Sequence, residues 1–106
     1  MNPGRRHLGH AELQLRLSDL EVEGVDKLRE ITHFHVHQEK RGHGAGSRLL
    51  DKVCREADLN RKALMVNVKP YDKSERTVEQ LSGWYQRHGF VPIQQEPEVV
   101  LVRVPR

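Results

Sequence analysis

The chain of 106 residues has a single cysteine, one tryptophan, two tyrosines, two phenylalanines and no long apolar run. One cysteine excludes an internal disulfide and fits a reducing compartment. Nothing approaches the ~18 consecutive apolar residues of a membrane-spanning helix, and Met1–His10 is polar and basic with no apolar signal core. These absences predict a cytoplasmic protein with no membrane partner. The excess of charge of one sign is small as well: 18 Lys and Arg stand against 15 Asp and Glu, a net charge of +3. That excess is too small to indicate a nucleic-acid binder, but it suits a polyanionic ligand. With 36% hydrophobic residues the chain can fill one small two-layer core.

Residues 1–10 carry Pro3, Gly4 and Gly9 with little that is apolar, and read as a flexible leader to a single domain at 11–106. In ELQLRLS (12–18), Leu13, Leu15 and Leu17 alternate, which predicts a half-buried strand. Extended stretches at Leu20–Val25 and Leu28–His37 follow, so an antiparallel meander is expected. Over 47–57, Leu49, Leu50, Val53, Cys54 and Ala57 recur at helical spacing. Cys54 falls on that stripe and reads as a small buried hydrophobe. ALMVNV (63–68) is a buried strand ended by Pro70, and a helix between two strands implies a parallel crossover. Thr77 and Gln80 have capping-box spacing for a second helix with Val78, Leu81, Trp84, Tyr85 and His88 on its stripe. Gly89 is its left-handed stop. A strand at Phe90–Ile93, a turn near Glu96 and Pro97, and the strand EVVLVRV (98–104) complete an α+β fold: a mixed, mainly antiparallel twisted sheet with two main helices.

Arg41, Gly42, His43, Gly44, Ala45 and Gly46 lie where strand turns into helix. Gly44 and Gly46 let the backbone approach an anion, and the helix N-terminus adds N–H groups and partial positive charge. Arg41 and Arg48 are placed to meet phosphate oxygens. A dinucleotide fingerprint would need a further glycine where Ser47 and Leu49 stand, and no Gly-Lys-Ser/Thr occurs. The plainer reading of the loop alone is a tight turn with incidental basic residues.

What remains is Arg-x-x-Gly-x-Gly, with Val36 five residues before the arginine and Leu49 and Leu50 after it. This resembles the pyrophosphate loop of the GNAT superfamily of N-acetyltransferases. WYQRHGF (84–90) is similar to the aromatic-Tyr-x-x-x-Gly-Phe signature that closes the second conserved helix of that family. The resemblance runs from about Leu13 to Val104. It implies acetyl-CoA as cosubstrate, held by Val36, Arg41, Gly42, His43, Gly44, Ala45, Gly46 and Ser47, with the Val36 N–H on the thioester carbonyl. It also implies Tyr85 as the acid that protonates the leaving thiolate. Glu30, on the strand face of Val36 by simple alternation, is the implied base toward an amine acceptor; a water, His33 or His35 could serve instead.

The chain departs from the family pattern in two respects. The first strand and the pair of N-terminal helices that many members use to shape an acceptor pocket are expected to be absent. The linker VKPYDKSER (68–76) is unlike the usual one, and Asn67 comes too early for the asparagine that many members place there. The compact length, the linker and the ending RVPR are similar to minimal acetyltransferases of bacteriophage genomes, which makes a protein lysine a reasonable acceptor. Either a monomer or a homodimer is consistent with exposed terminal strands. His33, His35 and His37 alternate on the other strand face and could present imidazoles to a metal. No fourth ligand is evident, so no metal is expected. The competing function is a non-catalytic module of the same fold that binds a protein partner.

Overall fold

The computed structural model describes residues 4–8, 11–18, 28–36, 44–68 and 77–106. The alternation of Ala11, Leu13 and Leu15 builds β2 (Ala11–Leu17), which pairs antiparallel with β3 (Arg29–Val36). A helix, α1 (Ala45–Leu59), then crosses to β4 (Leu64–Val68), which runs parallel to β3. The expected crossover is therefore present. After α2 (Val78–Arg87), β5 (Val91–Gln94) and β6 (Val99–Arg103) pair with each other, and β6 lies antiparallel against β4. With β1 (Arg5–Leu8) the six-stranded sheet has the order β1-β2-β3-β4-β6-β5. Both β4 and β6 lie inside this sheet and bury both faces, so their sequences read as continuous apolar runs.

Each face of the sheet has its own apolar cluster. On the helix side Leu13, Ile31, Leu49, Leu50, Leu64, Val66, Tyr85 and Leu101 pack together. On the other side Leu28, Ala63, Met65, Val100 and Val102 form a smaller group. Leu13, Leu49, Leu50, Leu64 and Leu101 are fully buried, and each stabilises the fold by about 1.5–3 kcal/mol relative to exposure. The start of α2 is the capping box read from the sequence: Gln80 N–H donates to Thr77 Oγ1 at 3.1 Å, and Thr77 N–H donates to Gln80 Oε1 at 2.9 Å. Gly89 adopts φ +94° where the chain leaves the helix. Among the described residues no helix is long and apolar enough to cross a membrane.

One expectation needs correction, and one lies outside the described residues. Arg5–Leu8, read as part of a flexible leader, forms the edge strand β1 against β2. Its anchors are long-range and so invisible to local pattern: Arg6 Nη2 lies 2.6 Å from Glu56 Oε1 on α1, and Leu8 packs on the main cluster. The stretch Leu20–Val25 lies outside the described residues, and β2 pairs directly with β3. Among the described residues, β1, β2 and β3 form an antiparallel meander.

Candidate functional site

The parallel ladder between β3 and β4 consists of two rungs, Arg29↔Leu64 and Glu30↔Met65. Yet β3 stays paired with β2 as far as Val36, and β4 stays paired with β6 as far as Val68. Beyond Glu30 and Met65 the two central strands therefore part, and a cleft opens between them.

A bulge in β3 lies beside this opening. The β2–β3 register shifts between Glu12↔His35 and Gln14↔Thr32, so His33 and Phe34 together stand opposite Leu13. His33 adopts φ +53°, a left-handed backbone that costs a non-glycine residue about 1–2 kcal/mol. The extra residue also breaks the alternation assumed from sequence. Glu30 pairs with Arg16, whereas Val36 pairs with Ala11, a position of the opposite face of β2. Glu30 and Val36 are thus not on one face. The bulge also interrupts the regular alternation assumed between His33 and His35, and His37 lies outside the described residues. At the root of the cleft, the Glu30 carboxylate accepts from Arg16 Nε at 2.7 Å and pairs with Arg16 Nη2 at 2.5 Å.

At the far end of β3 the chain enters α1 through Gly44, with φ +76° and no side-chain cap. Arg48 N–H donates to the Gly44 carbonyl at 3.0 Å, closing the first turn. The N–H groups of Ala45, Gly46 and Ser47 lie in that turn, where no intrahelical acceptor exists, and the turn carries no acidic residue. This donor set suits a phosphate. Arg41, Gly42 and His43 lie outside the described residues.

Helix α2 brings Tyr85 to the same region. Trp84 Nε1 donates to Ser47 Oγ at 3.0 Å, which ties α2 to the first turn of α1. The Trp84 ring packs edge-on to Phe34 of the bulge at 5.6 Å, to Tyr85 at 4.9 Å and to His88 at 5.3 Å. His88 Nδ1 lies 3.0 Å from Asp51 Oδ1, a second tie between the helices. Tyr85 is buried, leans on Phe90 at 5.4 Å, and shares one cluster with Ala45 of α1 and Val68 of β4. The described part of the glycine loop and Tyr85 therefore meet on the helix side, while Glu30 stands on the opposite face. The link from Trp84 to Ser47 was missed in the sequence, where only the aromatic stripe signals it. Cys54 is a core residue whose thiol is pushed up to about 11 by burial, so it holds no thiolate for nucleophilic work.

The family model described as an acetyltransferase (GNAT) domain matches residues 6–92. No curated protein matches the sequence significantly. Among solved structures, the anti-CRISPR protein AcrVA5 superposes with a TM-score of 0.63 at 18% identity, covering 92% of this chain and 94% of that one. Arabidopsis thaliana Naa50, in complex with the bisubstrate analogue CoA-Ac-MVNAL, gives 0.63 at 21% identity over 88% of this chain and 64% of that one. A histone acetyltransferase HPA2 and related acetyltransferase from Corynebacterium glutamicum gives 0.65 at 16% identity, covering 91% of this chain and 57% of that one. The chain thus spans less than two thirds of the latter two proteins. The family match covers most of the chain, and the chain belongs to the GNAT acetyltransferase family.

Proposed function

We propose that this domain transfers an acetyl group from acetyl-CoA directly to a primary amine of a peptide or protein, a lysine among the candidates. The observation that carries the reading is the parting of β3 and β4 between the α1 N-terminus and Tyr85. When bound, acetyl-CoA supplies the thioester whose C–S bond breaks as the C–N bond to the amine forms. The first-turn amides of α1, with Arg41, Gly42 and His43 before them, hold the diphosphate. The Val36 N–H would donate to the thioester oxygen and stabilise the charge that develops there. Tyr85 gives its hydroxyl proton to the departing sulfur. Glu30, or a water beside it, takes the proton that the amine loses. A peptide acceptor is supported by the Naa50 complex, whose bisubstrate analogue carries the peptide MVNAL.

Titration calorimetry with acetyl-CoA, followed by mass spectrometry of peptides with free amines, tests this reading. Folded protein that does not bind acetyl-CoA would sink it. The Arg16 ion pair on Glu30 favours one other reading, a module that binds acetyl-CoA and a partner without transfer. Tight cofactor binding with no acetylated product would select that module.

Gly44 offers a graded test. A Cβ there would stand 3.4 Å from Arg48 Nη1, in a conformation that L-residues rarely adopt. Gly44→Ala is expected to weaken acetyl-CoA binding about fivefold, the equivalent of about 1 kcal/mol of backbone strain. Gly83→Ala, with open space on α2, leaves the affinity unchanged in the same calorimetric titration.

A further inference from the structure

Between the C-terminal half of α1 and the sheet lies a cavity of about 410 Å³, the size of a small-ligand pocket. Its apolar wall is made by Leu15 and Leu17 of β2, Val53 and Ala57 of α1 and Leu64 of β4. Val53, Ala57 and Leu64 are core residues, whereas Leu17 is 61% exposed. Arg29 and Lys62, both half-buried, line the same cavity. Arg29 pairs with Leu17 on one side and Leu64 on the other, which puts it on the helix-side face. Its N–H donates to the Ala63 carbonyl at 3.1 Å, and the Lys62 N–H donates to the Ala57 carbonyl at 2.8 Å. The start of β3 and the end of α1 thus hold the two cationic residues next to each other.

The other charges on the wall are spent. Arg6 Nε donates to the two Glu56 oxygens at 3.1 and 3.0 Å, and its Nη2 to Oε1 at 2.6 Å, so that pair is neutral. The Arg16 guanidinium is held by Glu30 on the opposite face. Among the described residues the Arg29 and Lys62 side chains enter no hydrogen bond or ion pair. Two like charges drawn partly out of water disfavour each other, and an anion between them reverses the sign of that interaction. A guanidinium fork matches the paired oxygens of a carboxylate or phosphate, and an ammonium adds a compact charge. The apolar wall favours such a head on a hydrocarbon tail.

We propose that this cavity is a second binding site, for a small amphiphile with a carboxylate or phosphate head on a short hydrocarbon tail. The head lies between Arg29 and Lys62, and the tail lies over Leu15, Val53 and Leu64. The site is separate from the cleft. Arg29 and Leu64 form a rung of the β3–β4 ladder before the strands part, and Glu56, on the cavity wall, lies about 18 Å along α1 from Gly44. The proposal therefore stands without the acetyltransferase reading.

The test is a titration of the methyl-labelled full chain with octanoate and with octyl phosphate, following the Leu15, Val53 and Leu64 methyl groups by NMR. Acetate, a head without a tail, and octanol, a tail without a charge, are the controls at equal ionic strength. At least one tailed anion is expected to move these resonances saturably and to bind about tenfold or more tighter than either control, and the stronger of the two names the head group. Lys62→Gln and Arg29→Gln are each expected to weaken it about tenfold, the worth of one charge-assisted hydrogen bond. Lys62 lies in the connection after α1 and is bound there through its main chain, so its variant decides the matter should Arg29→Gln fail to fold. No saturable response, octanol or acetate binding as tightly as the tailed anions, or an unchanged affinity in Lys62→Gln would overturn the proposal. Saturating acetyl-CoA is expected to leave the affinity in place, and displacement by it would overturn the separate site. A tailed anion bound by a chain that takes no acetyl-CoA supports the cavity site and removes the transferase, whereas acetyl-CoA binding alone overturns the cavity site only.

Discussion

Replacing Tyr85 by phenylalanine is expected to slow acetyl transfer by about 10²–10⁴-fold, the usual contribution of a positioned general acid, with little change in acetyl-CoA affinity. The conservative change is required by the packing. Tyr85 is buried between the Trp84 and Phe90 rings, so alanine would open a core cavity costing about 3–5 kcal/mol and confuse folding with chemistry. Phenylalanine keeps both edge-on contacts and removes only the hydroxyl. Thiol release under saturating acetyl-CoA reads the rate, and calorimetry reads the affinity. An unchanged rate would remove the acid role from Tyr85 and leave it as a core aromatic. A parallel loss of cofactor affinity would mean that the hydroxyl binds rather than protonates.

The local devices around Tyr85 were legible in the sequence because they act over short range. The capping box at Thr77 and Gln80, the left-handed Gly89 and the periodic stripe of α1 are each decided by residues a few positions apart. So was the glycine start of α1, since a helix entry at φ +76° needs glycine whatever surrounds it. What could not be read is long-range. The β3 bulge has no local signature: HFHV looks like any alternating strand, and the extra residue appears only through pairing with β2. Because the period of a strand is two, that one residue moved Glu30 and Val36 to opposite faces. Edge strand β1 was missed for a like reason. RRHL has one apolar residue, and its place depends on Glu56, fifty positions away. The pair Asn67–Glu98 joins β4 to the turn before β6 and leaves no trace in either segment alone.

The largest loss of stability is expected from Asp58. Arg103, at the end of β6, is almost wholly buried, and its guanidinium donates to Asp58 Oδ1 at 2.7 Å and Oδ2 at 3.0 Å and through Nε to the His88 carbonyl at 2.9 Å. Asp58 also accepts from the Arg106 N–H at 3.0 Å. The Asp58–Arg103 pair thus joins the last turn of α1, the end of α2 and the C-terminal strand. Asp58→Ala leaves the buried guanidinium without its counter-charge, a change that costs about 3–5 kcal/mol out of a total of about 5–15 kcal/mol. Urea denaturation should show the midpoint falling by a large fraction. Asp58→Ala with Arg103→Met should recover part of it, because no uncompensated charge remains. The same pair sets an acid limit. The Arg103 hydrogen bonds hold the Asp58 carboxyl down at about 2, below its ordinary 3.8. A carboxyl depressed in the folded state lends its stability above the unfolded value and loses it as the pH falls through the folded one. The wild-type chain should therefore lose on the order of 2 kcal/mol from this group between about pH 4 and pH 2. Asp58→Asn, less stable at neutral pH, has no such increment to lose and should show a flatter dependence over that window. Parallel acid profiles for the two chains would mean that the carboxylate is not what holds these three elements together.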